Sequence, residues 1–587
     1  VLRLLPAFLV CVLSIPCAGQ PKAGQLKAKP AADPARQWLE SLSPAERVAQ
    51  LVMIPFYGDA PNPRSRTWRE YESLVRELGV GGLIVLNRVR DGVVERADPY
   101  QMAAFLNRMQ RLARLPLIVA GDFERGASMR MTSTVPFPHA MAYAAADDEE
   151  GVRRLGLATA REARAMGVHW IFAPDADVNN NPDNPIINIR SFGEDPQQVA
   201  RLVRAFIEGA HSDPAHRVLV TVKHFPGHGD TSTDSHIGLG VVEASRERLE
   251  QVELVPFRAA IEAGVDAIMT AHLAVPALEP ERIPATVSRR IMTGLLREQL
   301  GFQGILTTDA MDMQGLAQMF PPGEAAVRAL EAGNDLLLIP QDPRAAVRGV
   351  MEALRKGRLT QARIDRSVLK ILRAKVRLGL AVRREVRIEH IPDALLDPDD
   401  QAAARAAAQR AVTLVKNENN LIPLKNRDNS CWFIFSGSRF STQGLGLMDE
   451  LRSRRIRNAT LLYPQLPESE FAAHAEKSAA CEAVVLAAYV TASAYRGNVD
   501  LAGNYPAFVK ALLESGRKVI FIALGNPYLL RTYPDVAAYL ATFSTARVSE
   551  EAAVRAVLGE AAITGRLPVT IPGLAPAGFG IKIEKPD

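Results

Sequence analysis

Between Lys223 and His236 the chain runs Lys-His-Phe-Pro-Gly-His-Gly-Asp, then Thr-Ser-Thr, then Asp234-Ser235-His236. Three of the ten histidines fall here, with one lysine and two aspartates. Pro226, Gly227 and Gly229 interrupt any helix, so the segment is a loop following a buried strand. Three chemistries compete for it. The side chains could tie down a long loop by hydrogen bonds. His224, His228, His236 and an aspartate could bind a metal, although the spacing lacks the paired histidines of a helix-borne zinc motif. The third reading is an acid/base pair of Asp234 and His236. Residues two apart in an extended segment point the same way, so these two can touch. A neighbouring carboxylate favours imidazolium, which can protonate a leaving oxygen and afterwards, once neutral, activate water.

Such a device needs a nucleophile on the opposite side of the reacting carbon. Thr307-Thr308-Asp309-Ala310-Met311-Asp312-Met313 offers one. Asp309 is the first carboxylate beyond the apolar run Ile305–Thr308. Capping of the next helix is its alternative role, and Asp312 is a cap or a supporting group.

These residues must be positioned by something rigid. Short apolar runs recur at Leu51–Phe56, Gly82–Leu86, Leu117–Gly121, Trp170–Pro174, Val218–Val222, Ala267–Ala271, Ile305–Thr308 and Leu336–Ile339. Each is the length and type of a strand buried on both faces. Amphipathic segments lie between them, among them Gln101–Arg114, Gly151–Met166, Gln197–Ala210 and Arg290–Leu300. Eight strand–helix alternations predict a (β/α)8 TIM-type barrel over residues 39–380. A doubly wound sheet is the competitor. The barrel is preferred because Asp122, Asp175, His224, His272 and Asp309 all fall at strand C-terminal ends, which a barrel brings to one face. Residues 381–400 read as a linker, and residues 401–587 as a smaller α/β layered C-terminal domain. That domain opens with an Ala-rich helix from about Gln401 to Val415. Strands are expected at Cys431–Phe435, Ala459–Tyr463, Ala483–Val490, Lys518–Leu524 and Ala537–Phe543.

A length of 587 residues calls for two domains, and 48% hydrophobic with 23% charged residues is ordinary globular composition. The net charge of +5 is spread thinly, so no nucleic-acid partner is indicated. Arg3, the apolar run Leu4–Ile15 and the exit Cys17-Ala18-Gly19 read as a signal peptide over residues 1–19, too short to span a bilayer. Residues 20–38 read as a flexible tether. The protein is therefore expected to be exported, periplasmic or extracellular. A lipid anchor at Cys17 is the alternative, and the only route to a membrane. Cys431 and Cys481 remain in the mature chain, as a disulfide or as two buried thiols.

The loop from Lys223 to His236 resembles the signature of glycoside hydrolase family 3 in its β-N-acetylglucosaminidase branch. Further matches are Phe172-Ala173-Pro174 leading to Asp177, Ile189-Arg190-Ser191-Phe192-Gly193, Met269-Thr270-Ala271-His272 and Pro284-Ala285-Thr286-Val287-Ser288. The second domain is similar through Thr413-Leu414-Val415-Lys416-Asn417, Leu524-Gly525-Asn526-Pro527 and Gly565-Arg566-Leu567-Pro568-Val569. The resemblance implies a retaining exo-enzyme acting on terminal β-linked N-acetylglucosamine, from peptidoglycan- or chitin-type saccharides. It implies Asp309 as nucleophile and His236 with Asp234 as acid/base. Asp122, Arg130, Arg190, Lys223 and His224 would hold the sugar. A carbohydrate is the implied partner. No cofactor, no metal and no stable protein partner are implied. The sequence departs from the pattern at Glu124-Arg125-Gly126-Ala127, where the family usually has Glu-Gly-Gly-Arg. Same-family β-glucosidase or β-xylosidase activity and transfer to phosphate are the competing activities.

Overall fold

The computed structural model describes residues 33–90, 93–492 and 495–585. The expected signal peptide, Cys17 and most of the tether lie outside them. The end of the tether is helical instead. Pro34–Ser41 forms a helix capped by Asp33, and Arg373 pairs with that aspartate.

Eight parallel strands close on themselves: β1 (Val52–Phe56), β2 (Gly82–Val85), β3 (Ile118–Gly121), β4 (Trp170–Ile171), β5 (Leu219–Phe225), β6 (Ala267–Thr270), β7 (Ile305–Thr308) and β8 (Leu337–Leu338). Each pairs with its sequence neighbour from β1 to β7, and β8 pairs with β1. A bridge between Thr307 and Leu336 and the bond from Asp335 N–H to the Leu306 carbonyl (2.7 Å) join β8 to β7. The fold is the expected (β/α)8 barrel. All eight strands overlap the apolar runs, because strands covered by helices outside and packed side chains inside have no wet face. The exception to the expected bounds is β5, which continues through Lys223-His224-Phe225, so the segment read as loop begins at Pro226.

The helices start where local chemistry allows. Pro99–Leu112, Glu149–Ala165 and Pro196–His211 are capped by Asp98, Asp148 and Asp195, whose carboxylates accept first-turn N–H groups. Two of the three place proline at the first turn, where its missing N–H costs nothing.

The C-terminal unit is a six-stranded sheet: β9 (Thr413–Asn417), β10 (Ser430–Phe435), β11 (Ala459–Leu462), β12 (Ala483–Val490), β13 (Val519–Gly525) and β14 (Ala538–Ala541). Its order is β9-β14-β13-β12-β10-β11, with β9 antiparallel to β14 and the rest parallel. This corrects the Ala-rich helix. It spans Pro398–Ala411, and the aliphatic and β-branched run that follows becomes β9. The helix begins inside the stretch read as linker, where buried Asp400 pairs with Arg154 and Arg161 of the barrel. Cys431 and Cys481 form a disulfide.

One apolar core runs through both units: Phe172 and Leu306 of the barrel belong to the same buried cluster as Trp432, Val485 and Leu540. A second buried cluster joins Met141, Ala142 and Ile189 to Phe521 and Tyr528. Among the described residues no helix is long and apolar enough to cross a membrane.

Candidate active site

The C-terminal ends of β3, β4, β5, β6 and β7 deliver Asp122, Asp175, Lys223 with His224, His272 and Asp309 to one face. Lys223 and His224 are consecutive at the end of β5 and bind different carboxylates. Lys223 Nζ lies 2.9 Å from Asp122 and 2.7 Å from Glu124. His224 Nδ1 lies 2.8 Å from Asp177.

A network of alternating charge surrounds Lys223. Arg130 donates to the other oxygen of Asp122 at 2.9 Å. Arg190 grips both oxygens of Glu124 at 2.9 Å, donates to the Ile186 carbonyl, and lies 3.2 Å from Asp175. Burial works to raise the carboxyls of Asp122 and Glu124, but Lys223 with Arg130, and Arg190 with Lys223, outweigh it and hold both below the usual range. Asp175 differs. Burial dominates there and pushes its carboxyl up to about 7, and neither oxygen has a hydrogen-bond partner among the described residues.

The loop from Pro226 to Leu239 is held by backbone contacts. Gly227 has φ of +130°, and a Cβ at Gly229 would overlap the Val178 carbonyl, so both positions need glycine. Asn184 donates to the carbonyls of His228 and Gly229. His228 bonds Thr231 through Nδ1 (2.8 Å) and Ser235 through Nε2 (3.0 Å). Burial, reinforced by the charge of His224, lowers the His228 imidazole to about 4. Both of its ring nitrogens are therefore committed to ordering the loop. At the loop's tip Asp234 Oδ1 accepts from His236 Nδ1 (2.8 Å) and from the His236 main chain (2.9 Å). The Asp234 side chain is buried, while His236 is about a quarter exposed.

Asp309 follows β7, its main chain bonded to the Thr270 carbonyl at 3.1 Å. Burial works to raise its carboxyl, but the charges of His224, His272 and His236 prevail and hold it below the ordinary value. An ionised carboxylate thus lies within electrostatic reach of a histidine backed by a second carboxylate. That arrangement can attack a carbon and protonate its leaving group.

The metal reading fares differently. His228 is occupied within its loop, so the three loop histidines do not converge. The closest donor set among the described residues is Asp175, Asp177 and His224. Arg190 and Lys223 already supply positive charge to that group.

Residues 44–374 match the family model described as glycosyl hydrolase family 3 N terminal domain, and residues 412–577 match the corresponding C-terminal domain. The chain belongs to glycosyl hydrolase family 3. This family 3 chain is 29% identical over 561 residues to a "Beta-N-acetylglucosaminidase/beta-glucosidase" of Cellulomonas fimi, covering 91% of this chain and 95% of that one. It superposes with a TM-score of 0.79 on a family 3 β-N-acetylglucosaminidase from Paenibacillus, at 31% identity, covering 90% and 99% of the two chains. A β-glucoside phosphorylase is similar at 25% identity with a TM-score of 0.81, covering 92% and 96%.

Of the eight expected site residues, seven (Asp122, Arg130, Arg190, Lys223, His224, Asp234 and His236) lie within ion-pair distance of an oppositely charged side chain, and Asp309 stands apart from these pairs. Sequence reading gave no role to Glu124, which clamps Arg190 and Lys223, although it stands two residues past a strand-end aspartate. It also assigned nothing to Tyr495. That residue of the C-terminal domain donates its N–H to Asp234 at 2.8 Å across 261 positions of sequence, and nothing local marks it.

Proposed function

We propose that this glycoside hydrolase is a retaining exo-β-N-acetylglucosaminidase, removing terminal β-linked N-acetylglucosamine from peptidoglycan- or chitin-type saccharides outside the cytoplasm. The observation that carries the reading is the closed Asp234–His236 pair within electrostatic reach of Asp309, whose carboxyl is held below its ordinary value. The Asp309 carboxylate attacks the anomeric carbon as the bond to the leaving oxygen breaks, and His236 gives that oxygen its proton. In the second half the neutral imidazole takes a proton from water, the water oxygen attacks the same carbon, and Asp309 is released as carboxylate. Two inversions give net retention. Asp122, Arg130, Arg190, Lys223 and His224 hold the sugar, and a substrate lacking a bonded hydroxyl leaves one of these buried groups unpaired. The reading of residues 1–19 as a signal peptide goes with this assignment, with lipid attachment at Cys17 as its variant.

Transfer to phosphate is the second reading. A histidine acid/base presents no negative charge to an anionic acceptor, and a phosphorylase is among the similar structures. Both are tested by comparing aryl β-N-acetylglucosaminide with aryl β-glucoside, with and without phosphate and with and without chelator. The expected outcome is at least tenfold higher kcat/KM for the acetamido sugar, free N-acetylglucosamine as product, and no effect of chelation. Preference for the glucoside overturns the substrate assignment, and sugar 1-phosphate as the main product replaces hydrolysis by phosphorolysis.

A further inference from the structure

The loop bearing Asp234 and His236 has no strand or helix of its own between Pro226 and Leu239, so its tip depends on contacts from elsewhere. Two elements touch that tip. Gly315, beyond β7, donates to the Ser235 carbonyl at 3.2 Å. From the other side, Tyr495 and Gly497 of the C-terminal domain close on it.

Tyr495 meets both members of the pair. Its main-chain N–H donates to Asp234 Oδ2 at 2.8 Å, and its ring centroid lies 5.2 Å from that of His236 at 62°. Gly497 packs against Ile237, where a Cβ would meet Cδ1 at 3.4 Å. Tyr495 holds φ of +65°, a left-handed conformation that a non-glycine residue keeps only where its surroundings impose it. The OH group of Tyr495 makes no hydrogen bond among the described residues, and the residue is 64% exposed.

The carboxylate of Asp234 explains why this matters. Oδ1 takes both bonds from His236, leaving Oδ2 to find a partner of its own in a buried setting. Among the described residues Tyr495 N–H is the donor to Oδ2. Without it, a buried carboxylate oxygen is left unsatisfied, and the carboxylate turns toward water. The imidazole then loses its fixed direction, and a general acid works only within hydrogen-bond reach of its leaving oxygen.

We propose that Tyr495 is a positioning residue: its main-chain N–H pins the second oxygen of Asp234, so that the C-terminal domain completes the acid/base device of the barrel. The proposal rests on reading His236 as the acid/base.

The test removes the N–H and keeps the ring. In the full chain, Tyr495 is replaced by its α-hydroxy analogue, which turns the amide into an ester. Tyr495→Gly, which keeps the N–H and accepts the positive φ but drops the ring, serves as the second variant: it should show no split between leaving groups, and a split there would assign the effect to the ring and overturn the proposal. Turnover is measured with an N-acetylglucosamine disaccharide, whose leaving group needs protonation, and with a dinitrophenyl β-N-acetylglucosaminide, whose leaving group does not. The expected result is a loss at least tenfold greater for the disaccharide than for the dinitrophenyl substrate. No loss, or an equal loss on both, overturns the positioning role. His236→Ala is run alongside. If it too lacks the leaving-group split, the acid/base reading itself fails. If it shows the split and the ester variant does not, only the role of Tyr495 is lost.

Discussion

Asp234 holds His236 twice through a single oxygen: Oδ1 accepts both the ring Nδ1–H and the residue's own main-chain N–H. The pair is thus a closed ring whose orientation is set before substrate arrives. Asp234→Asn removes the charge that stabilises imidazolium and turns an amide NH2 toward one of the N–H groups that the carboxylate accepts from. Turnover of saccharide substrates should fall about 10²- to 10⁴-fold, the usual worth of a positioned general acid. Steady-state kinetics with poor leaving groups check this, and a loss below threefold would remove Asp234 from the mechanism.

Asp309 is kept ionised by positive neighbours against its own burial, and His224 is the foremost of them. Replacing His224 by glutamine removes that charge, so the Asp309 carboxyl rises and less of it is ionised at a given low pH. The acid limb of kcat/KM against pH should therefore move upward. An unmoved limb would mean that another group sets it. Asp309→Asn should cost at least about 10³-fold on every leaving group, as removal of a nucleophile does.

Lys223 is the only cation placed between Asp122 and Glu124 among the described residues, and it is itself buried. Lys223→Met leaves two carboxylates facing each other, and breaking a buried pair in this way costs about 3–5 kcal/mol. A clear drop in the thermal midpoint is expected, together with a raised KM. A variant as stable as the parent would show that the carboxylates take up protons or water at little cost.

How far these residues could be read without the structure depended on how local their signals are. The barrel strands are continuous apolar runs, five of the eight leading to an aspartate or histidine, and both features survive in one dimension. The loop glycines and the Asp-Ser-His triplet are likewise local. Glu124 was harder, because its importance lies in bridging Lys223 at the end of β5 and Arg190 in the turn Asn188–Arg190 well beyond β4. Tyr495 could not be found at all, since it acts through its main chain and any residue type supplies an N–H. Strand β9 was hidden by the alanine run before it, whose helical preference extends visually into Thr413-Leu414-Val415.

Glu162 shows a different kind of buried charge, away from the site. Its Oε1 accepts from Val135 and Leu396 N–H, and its Oε2 has no partner among the described residues. Burial raises its carboxyl to about 8. The folded value lies above the unfolded one, so the folded chain holds this proton more tightly. The contribution of Glu162 to stability is full below about pH 4.5 and declines as pH rises toward 8, by a few kcal/mol for a shift of that size. Glu162→Gln should flatten that decline, measured as the thermal midpoint from pH 5 to 8. Parallel curves for the two proteins would refute it.

The shared core has a thermodynamic consequence. Asn179 bonds Tyr528, Asn188 bonds Asn526, and Glu194 bonds Thr570, all across the boundary between barrel and C-terminal sheet, amid side chains of one apolar cluster or the other. Separating the two units would expose apolar surface and strand these buried amides together, so neither unit gains by melting ahead of the other. Heating should therefore give a single cooperative calorimetric transition, and a chain cut near residue 400 should lose the barrel along with the sheet. Two resolved transitions would show instead that the halves are thermodynamically independent, joined by contact and not by stability.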